Sequence, residues 1–396
     1  MPVVRRMSAR GRRRIAVVST SRADYGLLHW ILRGLARSPR ASLQLILMGS
    51  HFSPQHGATH RAVRADGFRP AAEIRVVPQG DSDRAIARSI GRATVAVADA
   101  FARLRPDLVV VLGDRYELLA VGAAATVFRL PIAHLHGGES TEGAIDEVVR
   151  HALTKLSHLH LVATRSHAER VAAMGEERWR IHVVGAPGLD HLTRTKLPPA
   201  RDVLAAVGLP ADDGRPLFLV TYHPTTLHPG ASGSEAKALA RAIASFDARV
   251  LVTAPNADPE YRSIARALRS IDRRRRDVRS VANLGTAAYW SVLRAADVVI
   301  GNSSSGLLEA PSFGTPVVNV GDRQGGRLRG ANVLDVPPTA AAIRAGIAKA
   351  LSPAFRRTAR RAVNPYGGPG ASERIVRILT AEPLGPRLLR KRSAPR

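Results

Sequence analysis

The 396-residue chain contains no cysteine, which excludes a disulfide framework, a thiolate metal site and a cysteine nucleophile, and permits a reducing compartment. Long apolar runs are also missing. Runs such as 108–112 and 298–300 fall far short of the roughly 20 residues that span a bilayer. The basic stretch 1–14 leads only into the short apolar segment 15–18, with no small-residue cleavage site after it, so it does not read as a secretory signal. We therefore expect no membrane association and a cytoplasmic location. Acidic residues are scarce, 32 against 59 Lys and Arg, for a formal charge of +27. A charge of that size suggests nucleic acid, an anionic membrane or a polyanionic substrate. Two features argue against the nucleic-acid reading. The excess is arginine rather than lysine, scattered along an Ala/Arg-rich chain, as a compositional bias would leave it. Its densest clusters, 5–14, 273–276 and 387–396, also lack the interleaved aromatic residues on which bases stack.

What is present is the composition of a globular protein, with 45% hydrophobic and 23% charged residues. The length exceeds what a single core usually supports, which points to two domains. No internal repeat occurs. Short β-branched runs alternate with longer Ala/Leu/Arg segments of helical spacing, the rhythm of a parallel α/β fold. Strands are predicted at 14–18, 43–48, 108–112, 131–134, 159–163 and 182–184, and the clearest helices between them at 27–37, 117–128, 142–156 and 166–174. Prolines at 187, 198 and 199 and a turn-rich stretch at 208–215 interrupt the pattern. It restarts with strands at 217–221, 249–253, 278–281, 298–301 and 316–320. We expect a basic extension at 1–13, a Rossmann-like domain at 14–190, a linker at 191–215, a second Rossmann-like domain at 216–370, and a helix with a basic tail at 371–396. The tail is predicted to be disordered from Leu384.

In open parallel sheets, ligands bind beyond the carboxyl ends of the strands, where loops and helix N-termini converge. The reactive residue types collect at such positions. Arg22 and Asp24 follow the first predicted strand, Gly113-Asp114-Arg115 follow 108–112, and His134, His136 and Glu139 follow Pro131. In the second half His223 follows 217–221 and Asn256 follows 249–253. Gly301-Asn302-Ser303-Ser304-Ser305-Gly306 closes the strand that begins at Val298. Each residue alone would pass as a turn or capping residue. Their coincidence in both halves points to one shared site.

Segment 297–320 reads as strand, Ser/Gly-rich loop, helix and strand, an arrangement in which backbone N–H groups, serine hydroxyls and the helix dipole favour phosphate. Glu309, about one turn into that helix, is placed to accept hydrogen bonds from ribose hydroxyls beside a diphosphate. A second cluster runs from Asp114 through Glu139 to Asp146 and Glu147, with Arg150 and His151 one turn later. Asp146/Arg150 and Glu147/His151 are also i, i+4 pairs that would stabilise any helix, which explains one of these acids but not the set. A tetrahedral zinc site is not expected, since His134 and His136 alternate sides of an extended segment and no cysteine is available. A Ser-His-Asp hydrolase is disfavoured, because no Gly-X-Ser-X-Gly stands at a strand-to-helix elbow. Neither a metal nor a cofactor is expected.

Taken together, Ser21-Arg22-Ala23-Asp24-Tyr25-Gly26, Gly113-Asp114-Arg115-Tyr116-Glu117, His134-Leu135-His136-Gly137-Gly138-Glu139, Ile145-Asp146-Glu147 with Arg150-His151, Tyr222-His223-Pro224 and Gly301-Asn302-Ser303-Ser304 resemble the hydrolysing UDP-N-acetylglucosamine 2-epimerases. Phe313-Gly314-Thr315-Pro316, Arg323-Gln324 and Gly330-Ala331-Asn332-Val333 continue the likeness, which spans roughly residues 15–370. The resemblance implies an α/β architecture of glycosyltransferase B type, with two Rossmann-like domains around a nucleotide sugar, and a homodimer or homotetramer. It implies conversion of UDP-N-acetylglucosamine and water to UDP and free N-acetylmannosamine, through a 2-acetamidoglucal, as in sialic acid biosynthesis. Carried over residue by residue, Asp114, His136, Glu139, Asp146, Glu147 and His223 form the acid/base set. Arg22, Asp24, Arg115, Asn256, Ser303, Ser304, Glu309 and Arg323 hold the nucleotide sugar. Animal members carry glutamate at the position of His136, whereas the form seen here is similar to the bacterial branch. The base at C2 is thereby left open among His136, Glu139 and the pair Asp146 and Glu147. The motifs fit equally a homologue acting on a UDP- or GDP-linked 2,4-diacetamido-trideoxy sugar. A glycosyltransferase would share the fold and phosphate site without needing the acid cluster, and a non-enzymatic nucleic-acid binder rests on charge alone.

Overall fold

The computed structural model describes residues 11–80, 82–142, 144–225, 230–255, 260–272 and 277–392. The first half is a seven-stranded parallel sheet built from β1 (Arg13–Ser19), β2 (Ala41–Met48), β3 (Ala72–Ile74), β4 (Leu108–Leu112), β5 (Ile132–Leu135), β6 (Leu159–Val162) and β7 (Ile181–Val183). They lie in the order β3-β2-β1-β4-β5-β6-β7. The second half is a six-stranded parallel sheet of β8 (Leu217–Thr221), β9 (Arg249–Thr253), β10 (Val278–Val281), β11 (Val298–Gly301), β12 (Val317–Val320) and β13 (Val333–Val336), ordered β10-β9-β8-β11-β12-β13. Each order reverses direction once, between β1 and β4 and between β8 and β11. These are the switch points of Rossmann-like sheets, where a crevice opens at the strand ends.

The strands read as continuous apolar runs because helices cover both faces. All five residues of β4 are buried, as are all five of β8. Two apolar layers flank the first sheet, one around Leu28, Leu32 and Leu47 and the other around Val97, Val109 and Val121. Two more flank the second, around Leu239 and Ile343 and around Leu204 and Leu293. A fifth cluster joins the halves through Leu189, Trp290, Leu308 and Tyr366. Among the described residues no helix is long and apolar enough to cross a membrane.

The structure departs from the sequence expectations in four places. Two strands, β3 and β13, were not anticipated; each is short and carries an acidic residue, Glu73 or Asp335, that breaks the apolar run. The helix expected from 142 starts at Asp146, because the backbone N–H of Glu142 donates to the carbonyl of Gly325 in the other half. The helix after the serine loop is only Ser305–Leu308, and the next turn is a separate 3₁₀ segment holding Pro311. The tail expected to be disordered is ordered to Arg392, with a helical turn at Pro386–Leu389 and Leu388 fully buried. Buried Arg180 explains this, donating to the carbonyls of Leu388 at 2.7 Å and Arg390 at 2.7 Å, while Lys391 Nζ lies 2.9 Å from Glu176.

The segment expected as a linker also contributes to packing. Val203, Leu204 and Leu209 join the second core, and the helix Ala371–Ala381 returns to the first through Ala371, Ile375 and Leu379. Asp190 fastens this return by accepting from the backbone N–H groups of Ala371 at 3.1 Å and Ser372 at 2.7 Å.

Candidate active site

A cleft of about 230 Å³ lies between the halves, at the carboxyl ends of β1, β4, β8 and β11. Arg22 and Arg115 line it from the first half, and His223, Ser303, Ser304, Ser305 and Glu309 from the second. Gly301 makes the turn into the serine loop possible. Its φ is 139°, and a Cβ there would lie 1.9 Å from the carbonyl oxygen of Thr221, so only glycine fits where β11 ends beside β8. Asn302, fully buried, then pins His223: its Oδ1 accepts from the His223 N–H at 2.6 Å and its Nδ2 donates to the His223 carbonyl at 2.9 Å.

Electrostatics favour negative charge at this end of the cleft, where Glu309 is the one carboxylate among the described lining residues. Burial lowers the Arg22 guanidinium pKa to about 10, against the pull of Tyr289 and Glu309, and among the described residues no carboxylate stands within ion-pair range of Arg22. The four-residue helix adds little dipole, so Arg22, Arg115 and the serine donors supply the field. Burial pushes the Glu309 carboxyl up to about 7, although Ser305 Oγ donates to it at 2.8 Å and Trp290 and Arg22 favour its ionised form.

The acid cluster adjoins the cleft from behind. Asp114 precedes Arg115 on one loop, and its carboxylate is ion-paired with fully buried Arg150. Arg150 also donates to Glu147 at 2.6 Å, to Thr141 Oγ1 at 2.5 Å and to the carbonyl of Glu139 at 3.1 Å. Glu139, 2% exposed, accepts from His136 Nδ1 with one oxygen and pairs with Arg327 at 3.0 Å with the other. Burial would raise the pKa values of Asp114, Glu139 and Glu147, but Arg150 and Arg327 hold Asp114 below the ordinary range, Arg327 and His136 hold Glu139 below it, and Arg150 does so for Glu147. All three are carboxylates at neutral pH. His136 has φ 61°, a left-handed backbone that a side chain tolerates only under constraint, and its Nε2 is buried without a hydrogen-bond partner. Among the described residues no three His, Asp or Glu side chains are grouped to hold a metal ion.

Most of the expected residues therefore fall into two adjoining groups. Arg22, Arg115, His223, Ser303, Ser304 and Glu309 line the cleft; Asp114, His136, Glu139 and Glu147 form the ionic network behind it. Arg323 bridges them, with Nη2 3.7 Å from Asp146 and Nε 3.2 Å from the carbonyl of Pro224, next to His223. Of the helical pairs, Glu147 and His151 do meet at 2.9 Å, whereas Asp146 faces Arg323. Asp24 stands apart. It accepts from the N–H groups of Thr20 and Ser21 at 3.0 Å each in a capping box, and does not line the cleft. Asn256 lies outside the described residues. Sequence reading missed Arg327, whose only local signal is the preceding Gly325-Gly326.

Two Rossmann-like sheets with a cleft at both switch points, lined by arginines and a serine loop and backed by a buried acid network, define a two-domain α/β protein of the glycosyltransferase B type. The family model described as UDP-N-acetylglucosamine 2-epimerase matches residues 33–380, and the chain belongs to that family. It is 36% identical over 385 residues to the UDP-N,N'-diacetylbacillosamine 2-epimerase (hydrolyzing) of Legionella pneumophila, covering 96% of this chain and 99% of the relative. It is 35% identical over 326 residues to the GDP/UDP-N,N'-diacetylbacillosamine 2-epimerase (hydrolyzing) of Campylobacter jejuni, covering 82% and 84%. The solved UDP-GlcNAc 2-epimerase from Neisseria meningitidis bound to UDP-GlcNAc superposes with a TM-score of 0.77 at 16% identity, over 92% of this chain and 99% of that one. The last likeness carries the fold, two Rossmann-like domains in the glycosyltransferase B arrangement.

Proposed function

We propose that this enzyme is a hydrolysing 2-epimerase whose substrate is a UDP- or GDP-linked 2,4-diacetamido-trideoxy sugar, with UDP-N-acetylglucosamine as the second reading. The observation that carries the reaction is the adjacency of Asp114 and Arg115, one in the acid network and the other in the phosphate cleft, which sets proton transfer beside the departing diphosphate. The similarity to two diacetylbacillosamine epimerases favours that sugar over the singly acetylated one.

In this reading the C1–O bond breaks and the nucleoside diphosphate leaves with the bonding pair, held by Arg22, Arg115, Arg323 and the donors of Ser303 and Ser304. Glu309 accepts from the ribose hydroxyls. A C2–H bond is a poor acid, so positive charge developing at C1 must acidify it before a base can remove the proton and form the glycal double bond. His136 is the base. Its Nδ1–H is committed to Glu139, which leaves Nε2 as the basic atom. Water then adds at C1 while Asp146 or His223 returns a proton to the opposite face of C2, and Asp114, held ionised by Arg150 and Arg327, stabilises the charge that develops beside it. Glu147 anchors Arg150 and orders Thr141, whose N–H it accepts at 2.6 Å.

Incubation of UDP- and GDP-diacetylbacillosamine and UDP-N-acetylglucosamine in deuterium oxide, followed by NMR, tests this. The expected product is the free 2-epimer deuterated at C2, with a diacetamido substrate giving the highest kcat/KM. Retention of C2 protium would exclude elimination. A higher kcat/KM for UDP-N-acetylglucosamine would move the assignment to the second reading.

A further inference from the structure

The loop between β12 and β13 leaves the second sheet and lies against the first half, and Arg327 on it spends its side chain there. Nη1 lies 3.0 Å from Glu139 Oε2, Nε donates to the carbonyl of Ser140 at 3.1 Å, and Nη2 donates to Thr141 Oγ1 at 3.3 Å. The approach is close enough to demand glycine at position 326, where φ is 73° and a Cβ would sit 2.4 Å from Ser140 Oγ. Arg327 is thus tied to the same carboxylate that accepts the Nδ1–H of His136.

We infer that Arg327 is a positioning residue through which the second half holds the His136–Glu139 pair of the first in its working arrangement. Glu139 fixes the His136 tautomer most strongly as a carboxylate, and at 2% exposure it stays one because a cation stands beside it. The groups facing it are Arg327 from the second half, His136 on its own loop, Asp114 beyond β4, Arg150 on the helix Asp146–Leu156, His167 on the helix Arg165–Ala173, and Tyr366 on the chain returning to the first half. Arg327 is the cation among them that pairs directly with the Glu139 carboxylate, and it is supplied by the second half. Without Arg327 beside it, burial pushes Glu139 toward its neutral form, and a neutral acid holds Nδ1–H less strongly than a carboxylate.

This inference rests on the reaction proposed above, and R327Q and R327K separate the two. R327Q is expected to lower kcat at least about tenfold, the scale of one charge-assisted hydrogen bond, with KM and the UDP dissociation constant little changed. Its acid limb in log kcat should move to higher pH, because Glu139 without its cation takes up a proton more readily. R327K should recover part of both. Nitrogen-15 NMR of labelled histidine, with the His136 signal assigned by its loss in H136Q, should show the Nδ1–H tautomer in the wild type and its loss in R327Q. A wild-type pH profile and tautomer in R327Q overturn the role of Arg327, as does a rise in KM with unchanged kcat, which would make it a phosphate ligand. Failure of the wild type to turn over any nucleotide sugar overturns the reaction instead, and the tautomer measurement still decides the role of Arg327.

Discussion

Glu309 faces the cleft with its carboxyl pushed up to about 7 by burial, and the proposed nucleotide binding is therefore expected to respond to pH through it. A folded-state pKa above the ordinary carboxylate value means that the ligand-free protein holds a proton that the unfolded chain would release. Ligand-free stability is therefore expected to fall as pH rises from the ordinary carboxylate range to about 7. Ribose hydroxyls donate best to the ionised form, so UDP affinity should rise through the same window. E309Q should flatten that rise and weaken UDP binding by about 1.5 to 3 kcal/mol. Calorimetry on both proteins across this range cancels the titration of UDP itself, and parallel pH curves would remove Glu309 from the nucleotide site. D114N and D146N should bind UDP nearly normally yet turn over at least about a hundredfold more slowly, the usual loss for a charge-stabilising group or a general acid. Loss of UDP affinity at unchanged kcat would assign both to ligand binding. D114N should also melt lower, since it leaves buried Arg150 with one less counter-charge.

The C-terminal elements behave differently from what their composition suggests. A basic tail on a chain of charge +27 should repel the rest of the molecule, yet it docks: its Lys391 pairs with buried Glu176 and donates to the carbonyl of Lys155, while its own carbonyls at Leu388 and Arg390 accept from Arg180. Leu388 fills the apolar layer of the first sheet together with Ile375 and Leu379. L388A should therefore cost about 2 to 5 kcal/mol, the range for a buried leucine, and this is measurable by urea unfolding. A change under about 0.5 kcal/mol would place the segment among ordinary surface positions. The serine-loop helix shows the opposite error. Its start was legible because small residues follow a β-branched strand, but its length was not, because Pro311 interrupts it two residues after Glu309.

For the whole molecule, the charge matters most for what it does not specify. Arginines such as Arg150, Arg180, Arg215 and Arg249 are spent on carboxylates and carbonyls of the chain itself. DNA binding is expected to be weak, indifferent to sequence and steeply salt-dependent, fading by physiological ionic strength while nucleotide-sugar turnover persists. Tight DNA binding at physiological salt would revive a nucleic-acid role.

The sequence by itself determined the parallel α/β class, because strand runs buried on both faces leave an unmistakable apolar signature. It also determined which reactive residues stand at the carboxyl ends of the strands, because chain order decides which residues follow each strand. Tertiary structure alone decided how those residues divide: Asp24 goes to a helix cap, Glu139 behind His136, and Arg150 to Asp114 as well as Glu147. It alone supplied Arg327, which meets Ser140 across 187 positions of sequence. The physical reason is that periodicity records only how an element buries its own face, whereas an ion pair between two halves depends on their relative placement, to which no local pattern is sensitive.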